Sequence, residues 1–357
     1  MTGRTVNLFS DTQTRPTEAM RRAMAEAEVG DEQRRADPTV NRLQDRMAEL
    51  LGTEQALFLP TGTMCNLIAV GVHTRPGDAI VLEHSGHVLR SETSGAAAVN
   101  GCVIDTIRGD RGTFTPEQLA EVLTPGNQYV PPTRLLCLEQ THNFAGGTVW
   151  PLDRYQAVAA LAHQQGVAVH TDGARLMNAV VASGVAAADW AAPVDTIWID
   201  FTKGLGAPTG AVLAGPADLI EQAWLLKHRF GGAMRQAGIV AAGCLHALDH
   251  HVERLADDHE HARQLADGLA ALGLDVTEPE TNLVYVDPRP VGIDAVSFAA
   301  AMAERGVEIS TLGGRNRLCT HLDVTADDVT AALDAARAVV DAGTTDALAG
   351  ASVERYA

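Results

Sequence analysis

The chain has 357 residues, 46% hydrophobic and 20% charged, which rules out global disorder and predicts two domains, or one large domain with an appendage, rather than one compact core. Its formal net charge of −18 repels polyphosphate, so sequence-independent nucleic-acid binding and attachment to an anionic membrane are not expected. No run approaches the ~20 apolar residues of a membrane span, and Met1–Thr5 is not backed by the apolar stretch of a secretory signal. Five scattered cysteines (Cys65, Cys102, Cys137, Cys244, Cys319) with no CxxC pair predict reduced thiols in a cytoplasmic protein.

Along the chain, short apolar runs alternate with helical patterns, the signature of parallel strands joined by helices. Asp37-Pro38 opens a helix, since Asp can cap and Pro suits the first turn, and Gly52 closes it. Val40, Leu43, Met47, Leu50 and Leu51 fall on one face of that helix. Strands are predicted at Ala56–Leu59, Ala79–Leu82, Cys102–Ile107, Arg134–Leu138, Val167–His170, Thr196–Ile199 and Gly210–Leu213, with a helix at Asp153–Gln165 closed by Gly166. Beyond Gly210 the pattern changes. Helical segments run over roughly 234–272, then a strand at Asn282–Val286, a helix at Asp294–Arg305, a strand near Arg317–His321 and a helix at Thr325–Asp341. A domain boundary is expected near residue 250, and the small polar residues 343–357 are expected to fray.

Only two of the 27 basic residues are lysines, Lys203 and Lys227, so amine chemistry has two candidates. Lys203 ends the apolar strand Ile197–Phe201 and is followed by Gly204-Leu205-Gly206-Ala207-Pro208. A lysine at a buried strand exit, with glycines that admit other groups, suits a Schiff base with an aldehyde cofactor. Lys227, among Leu225–Arg229, reads as a surface lysine at a helix end. The Gly204/Gly206 pair fails as a dinucleotide loop, because Pro208 and another strand replace the required helix.

Asp172, in Thr171-Asp172-Gly173-Ala174-Arg175, precedes Lys203 by one strand–helix–strand repeat. Its carboxylate can pair with a protonated pyridine nitrogen, although a D-G step alone is usually a turn. Thr61-Gly62-Thr63 combines backbone amides, hydroxyls and a helix start over Met64–Val72: a phosphate seat or an ordinary N-cap. His87 and His142 both follow strands, at the end of an open α/β sheet where ligands bind, and each could equally be a packing histidine. His246 and His250 have metal-ligand i,i+4 spacing, but a solvated helix face explains them better.

In order along the chain, Ser10-Asp11-Thr12, Thr14-Arg15-Pro16, Asp37–Asn41, Leu59–Thr63, Glu139…Thr141-His142-Asn143, His170–Arg175, Lys203–Pro208, Gly231-Gly232…Met234-Arg235-Gln236 and Thr320–Val324 together resemble the threonine aldolase family. The resemblance covers most of the chain. It implies a pyridoxal-phosphate enzyme of the aspartate-aminotransferase-like fold type I, with a three-layer α/β/α large domain (15–250) on a mostly parallel sheet. A small C-terminal α+β domain (251–342) would pack with an N-terminal arm (1–14).

By the same resemblance Lys203, preceded by Thr202, forms the Schiff base and Asp172 holds the ring nitrogen. Thr61, Gly62 and Thr63 take the phosphate, with Arg235 reaching in from a neighbouring subunit, and His87 stacks on the ring. Ser10, Arg175 and Arg317 clamp the substrate carboxylate, for which a guanidinium is suited bidentately. The implied reaction is retro-aldol cleavage of an L-β-hydroxy-α-amino acid to glycine and an aldehyde, with His87 or His142 as the base. No metal is implied, and the assembly is a homodimer or homotetramer with shared active sites. Other chemistry at Cα or Cβ (β-elimination, transaldol exchange, racemisation) or a non-catalytic relative are the alternatives.

The chain departs from the family pattern in three places. Family members commonly carry Tyr-Gly-Asp-Asp-Pro where this chain reads Arg34-Arg35-Ala36-Asp37-Pro38. Thr202 stands for a serine, and Gly231-Gly232-Ala233 for three glycines. Arg34 in place of a loop aromatic predicts a bulkier or acidic β-hydroxy substrate.

Overall fold

The computed structural model describes residues 5–343, which divide into two units: Pro16–Val252, and the N-terminal residues up to Arg15 together with the chain from Glu253 onward. Of the tail expected to fray, only Gly343 lies among the described residues.

In the first unit seven strands form one sheet: β1 (Gln55–Leu59), β2 (Ala79–Glu83), β3 (Val103–Ile107), β4 (Thr133–Glu139), β5 (Ala168–Gly173), β6 (Thr196–Asp200) and β7 (Ala211–Gly215). Their spatial order is β1-β7-β6-β5-β4-β2-β3. Only β7 runs antiparallel to its neighbours, β1 and β6. The remaining pairs are parallel. Every residue of β2, β6 and β7 is buried, because the sheet is covered on both faces. This explains why those segments read as continuous apolar runs rather than as alternating ones.

The helix Pro38–Leu51 forms as its sequence predicts. The Asp37 carboxylate accepts from the Thr39 and Val40 amides at 3.1 and 3.0 Å, and Gly52 closes the helix at φ 64°. Val40, Leu43, Met47 and Leu51 are buried, each worth roughly 1.5–3 kcal/mol of transfer free energy. The predicted stretch 234–272 is two helices, Gly238–His250 and Leu255–Ala271. The amphipathic helix Glu18–Ala25 is additional to the sequence expectations, and the helix end read at Leu225–Arg229 closes a helix that starts at Ala217.

In the second unit, β8 (Asp275–Thr277), β9 (Leu283–Asp287), β10 (Ser310–Leu312) and β11 (Arg315–Cys319) make an antiparallel sheet in the order β10-β11-β9-β8. Val6–Asn7 pairs in parallel with Val307–Glu308, and Leu8 enters the core formed by Leu265, Val284, Phe298 and Leu318.

Lys227 corrects a sequence expectation. It is fully buried, pairs with Glu32, donates to the Phe58 carbonyl at 2.6 Å and lies 5.2 Å from the Trp224 ring centroid. The helix Ala217–Arg229 turns this lysine inward, a direction that counting charges around Lys227 does not reveal. Burial lowers its pKa, against the opposing pull of Glu32.

Candidate active site

The parallel pairing of β5 and β6 sets Asp172 opposite Trp198, and Lys203 follows three residues after β6 ends. Asp172 and Lys203 therefore leave neighbouring strands at the same, carboxyl end of the sheet. Lys203 Nζ pairs with Asp200 and stands 5.7 Å from the Trp198 ring centroid. Asp200 also accepts from the Thr202 amide and hydroxyl at 2.9 and 2.8 Å, which shapes the turn that presents the amine.

Thr61 caps the helix Gly62–His73 by accepting from the Met64 amide at 3.3 Å. The Gly62 and Thr63 amides open the helix and have no intrahelical acceptor, so they face outward as an anion seat. Gly62 is required by close approach: a Cβ there would lie 2.2 Å from Cη2 of the Trp198 indole. One indole thus abuts the helix start, the lysine and the strand that carries Asp172.

Asp172 is buried and accepts from Asn66 Nδ2 at 2.9 Å and from the Ala174 amide at 3.0 Å. Burial, then the negative charges of Glu139 and Glu92, raise its pKa to about 6, against the opposing His87. Asn66 donates to Glu92 as well, at 2.7 Å, while its Oδ1 accepts from Trp198 Nε1 at 2.8 Å and from His170 Nε2 at 3.1 Å. The indole N–H can only donate, so it assigns the amide orientation. His170 Nδ1 then accepts from Thr196 Oγ1 at 2.9 Å, consistent with a neutral ring whose pKa burial pushes down to about 3.

His87 and His142 occupy different settings. The His87 side chain is 31% exposed, with Nδ1 3.1 Å from Glu92 Oε1 and its amide on Glu139 at 2.7 Å. His142 is 1% exposed, with Nε2 3.2 Å from Glu83 Oε2 and 3.9 Å from Glu139. For both rings burial lowers the pKa but neighbouring carboxylates outweigh it, so both are raised.

Arg175 is buried in the same unit, with Nη1 3.4 Å from Asn143 Oδ1. Ser10 and Arg317 lie buried together in the other unit, where Arg317 Nη2 donates to the Phe9 carbonyl at 3.2 Å. Arg235 pairs with Asp31 at 3.2 Å and its side chain is 62% exposed. Arg34 is exposed in the short turn Glu32–Arg34. The His246 and His250 rings lie 4.5 Å apart, and among the described residues the one cluster with metal-ligand geometry is His87, Glu92 and Asp172. Asn66, Glu92, Asp200 and Trp198 were not singled out from sequence. Asn66 alone had a signal, being a polar residue inside the apolar run Met64–Val72.

The Beta-eliminating lyase family model matches residues 7–289. The chain belongs to that family. Low-specificity L-threonine aldolase 1 of Arabidopsis thaliana is 38% identical over 338 residues, covering 92% of this chain and 94% of its own. The low specificity L-threonine aldolase of Escherichia coli (strain K12) is 38% identical over 325 residues, covering 91% and 96%. Among solved structures, Leishmania major threonine aldolase superposes with a TM-score of 0.81 at 21% identity, over 94% of this chain and 99% of that one. A Thermus thermophilus aspartate aminotransferase superposes at 0.70 and 19%, over 94% and 96%. The fold is the α/β fold type I of these enzymes. The protein is a carbon–carbon lyase and its cofactor is pyridoxal 5′-phosphate.

The donor set fits that cofactor. It offers an amine at a strand exit, a buried carboxylate on the adjacent strand, and a helix start kept open by a glycine that admits no Cβ. A carboxylate held among other buried acids favours a cationic partner such as a pyridinium nitrogen.

Proposed function

We propose that this protein cleaves the Cα–Cβ bond of an L-β-hydroxy-α-amino acid, releasing an aldehyde and glycine. The placement of Lys203 and Asp172 on adjacent strand ends carries the reading. Pyridoxal phosphate, when bound, supplies the ring that accepts the electron pair left on Cα.

The chain's own residues do the rest. Lys203 is the amine that would hold the cofactor aldehyde, and Asp200 is the proton partner at its Nζ. Asp172, buried and aimed by Asn66 and the Ala174 amide, is the carboxylate that would pair with a protonated ring nitrogen. The amides of Gly62 and Thr63, with the Thr61 and Thr63 hydroxyls nearby, orient the phosphate. Thr202 keeps the lysine turn in shape through Asp200. Arg175 is assigned to the substrate carboxylate.

The base must reach the β-hydroxyl. His87 is the more exposed ring and its Nδ1 faces Glu92, so Nε2 is the atom that takes the proton. His142 stays behind it with Glu83 and Glu139.

Assembly as a homodimer or homotetramer belongs to the same proposal, with the exposed Arg235 offered to a neighbour's phosphate. A reducing, cytoplasmic setting is supported by the five scattered cysteines, all of them buried.

The test is a panel of threonine, allo-threonine, phenylserine, β-hydroxyaspartate and serine, scored for aldehyde and glycine. Equimolar aldehyde and glycine is the expected result, and ammonia with a keto acid replaces the aldol reading with β-elimination. Arg34→Tyr is expected to shift preference from β-hydroxyaspartate toward threonine. An unchanged ratio removes Arg34 from specificity.

A further inference from the structure

Glu92 is buried in the site, and the chemistry above uses it only through its contact with His87. It follows the short helix His87–Arg90, and the two residues after it, Thr93 and Ser94, both take left-handed backbone, at φ 51° and 56°. For a β-branched threonine that conformation is strained, and it persists where surrounding structure over-determines it. The turn delivers one atom, Oε1 of Glu92, to two donors: Asn66 Nδ2 at 2.7 Å and His87 Nδ1 at 3.1 Å. The same Asn66 nitrogen donates to Asp172 at 2.9 Å.

We propose that Glu92 is a positioning residue, whose single oxygen holds the His87 imidazole and, through Asn66, the Asp172 carboxylate. The inference rests on the cofactor reading of Lys203, Asp172 and His87. Accepting from Nδ1–H fixes the tautomer of a neutral His87, so its lone pair sits on Nε2. Anchoring the Asn66 amide keeps Asp172 aimed where a ring nitrogen arrives. One buried negative charge therefore acts on both the stacking ring and the cofactor's cationic form. The titratable groups that share this space are His87, Asp172, Glu139 and the thiols of Cys65 and Cys137.

Two variants of the holoenzyme separate charge from reach. Glu92→Gln keeps the acceptor and removes the charge. The pH midpoint of the visible cofactor band is expected to fall by about half a unit or more, because a cationic form nearby loses a stabilising charge. Glu92→Asp keeps the charge but withdraws the oxygen. Its midpoint is expected to stay at the wild-type value while kcat falls about fivefold or more, with KM changed less than about twofold. A wild-type midpoint in Glu92→Gln, or a wild-type kcat in Glu92→Asp, overturns the proposal, and the Asp variant decides alone if the Gln variant does not fold. Lys203→Ala tests the reading beneath: borohydride-fixed cofactor on the chain that survives it overturns the site assignment, whereas attachment that depends on Lys203 with a band indifferent to Glu92 overturns only the role of Glu92.

Discussion

Gly62 and the indole of Trp198 are fitted to each other so closely that a Cβ on the glycine would stand 2.2 Å from Cη2 and 2.5 Å from Cζ3 of the ring. The first residue of a helix and the middle of a strand thereby share one contact, with the Lys203 amine beside the same indole. Gly62→Ala is expected to push the helix start off the ring, at about 1–3 kcal/mol of overpacking. Because the amides that face the phosphate move with it, the cofactor Kd is expected to rise about tenfold or more. Thermal unfolding of the apo form and fluorescence titration with cofactor check the two effects separately. A variant with wild-type cofactor affinity removes Gly62 from the phosphate seat.

The two lysines are expected to behave in opposite ways. Borohydride reduction of the holoenzyme is expected to label the peptide that carries Lys203 and to leave the Lys227 peptide unlabelled, as peptide mass mapping would read. Lys227→Met leaves Glu32 as a buried charge without its partner, which destabilises by about 3–5 kcal/mol. Lys203→Ala leaves Asp200 with its hydrogen bonds from the Thr202 amide and hydroxyl, so it is expected to lower Tm less than Lys227→Met does. Equal stability losses in the two variants would contradict this division.

The buried pair of Glu83 and His142 gives stability a pH dependence with a definite sign. Burial raises the Glu83 pKa, but hydrogen bonds from His142 and Ser85 win and hold it well below the usual carboxylate range. Burial lowers the His142 pKa, but Glu139 and Glu83 win and raise it. The Glu83 contribution is present above its unfolded value of about 4.5 and lost as pH falls through its lowered pKa. The His142 contribution is present below its unfolded value of about 6.5 and lost as pH rises through its raised pKa. The pair therefore contributes most between about pH 4.5 and 6.5. His142→Gln is expected to flatten the loss of Tm on the alkaline side of that window. An identical Tm-against-pH curve from pH 6 to 9 would show that the pair does not supply it.

Much of the scaffold was legible in one dimension, because strand and helix signals are local. Asp37-Pro38 and Gly52 carry their own capping geometry, and the apolar runs that became β2, β6 and β7 are unbroken because both faces are covered. Lys203 and Asp172 stood out for a similar reason: each ends a strand, and their separation by one strand–helix–strand unit implies neighbouring strand ends.

Direction and depth were decided only in three dimensions. Nothing local tells that the helix Ala217–Arg229 aims Lys227 inward at Glu32, 195 positions away in the chain. His87 and His142 follow equivalent strands, yet packing leaves one ring reachable and seals the other among carboxylates. The Asn66 link between Glu92 and Asp172 joins three segments that meet only when the sheet closes over the helix Gly62–His73. Sequence supplies the reactive groups and the elements that bear them. Long-range packing sets which of those groups lose their water, and with it which pKa values move and which side chains can touch a ligand.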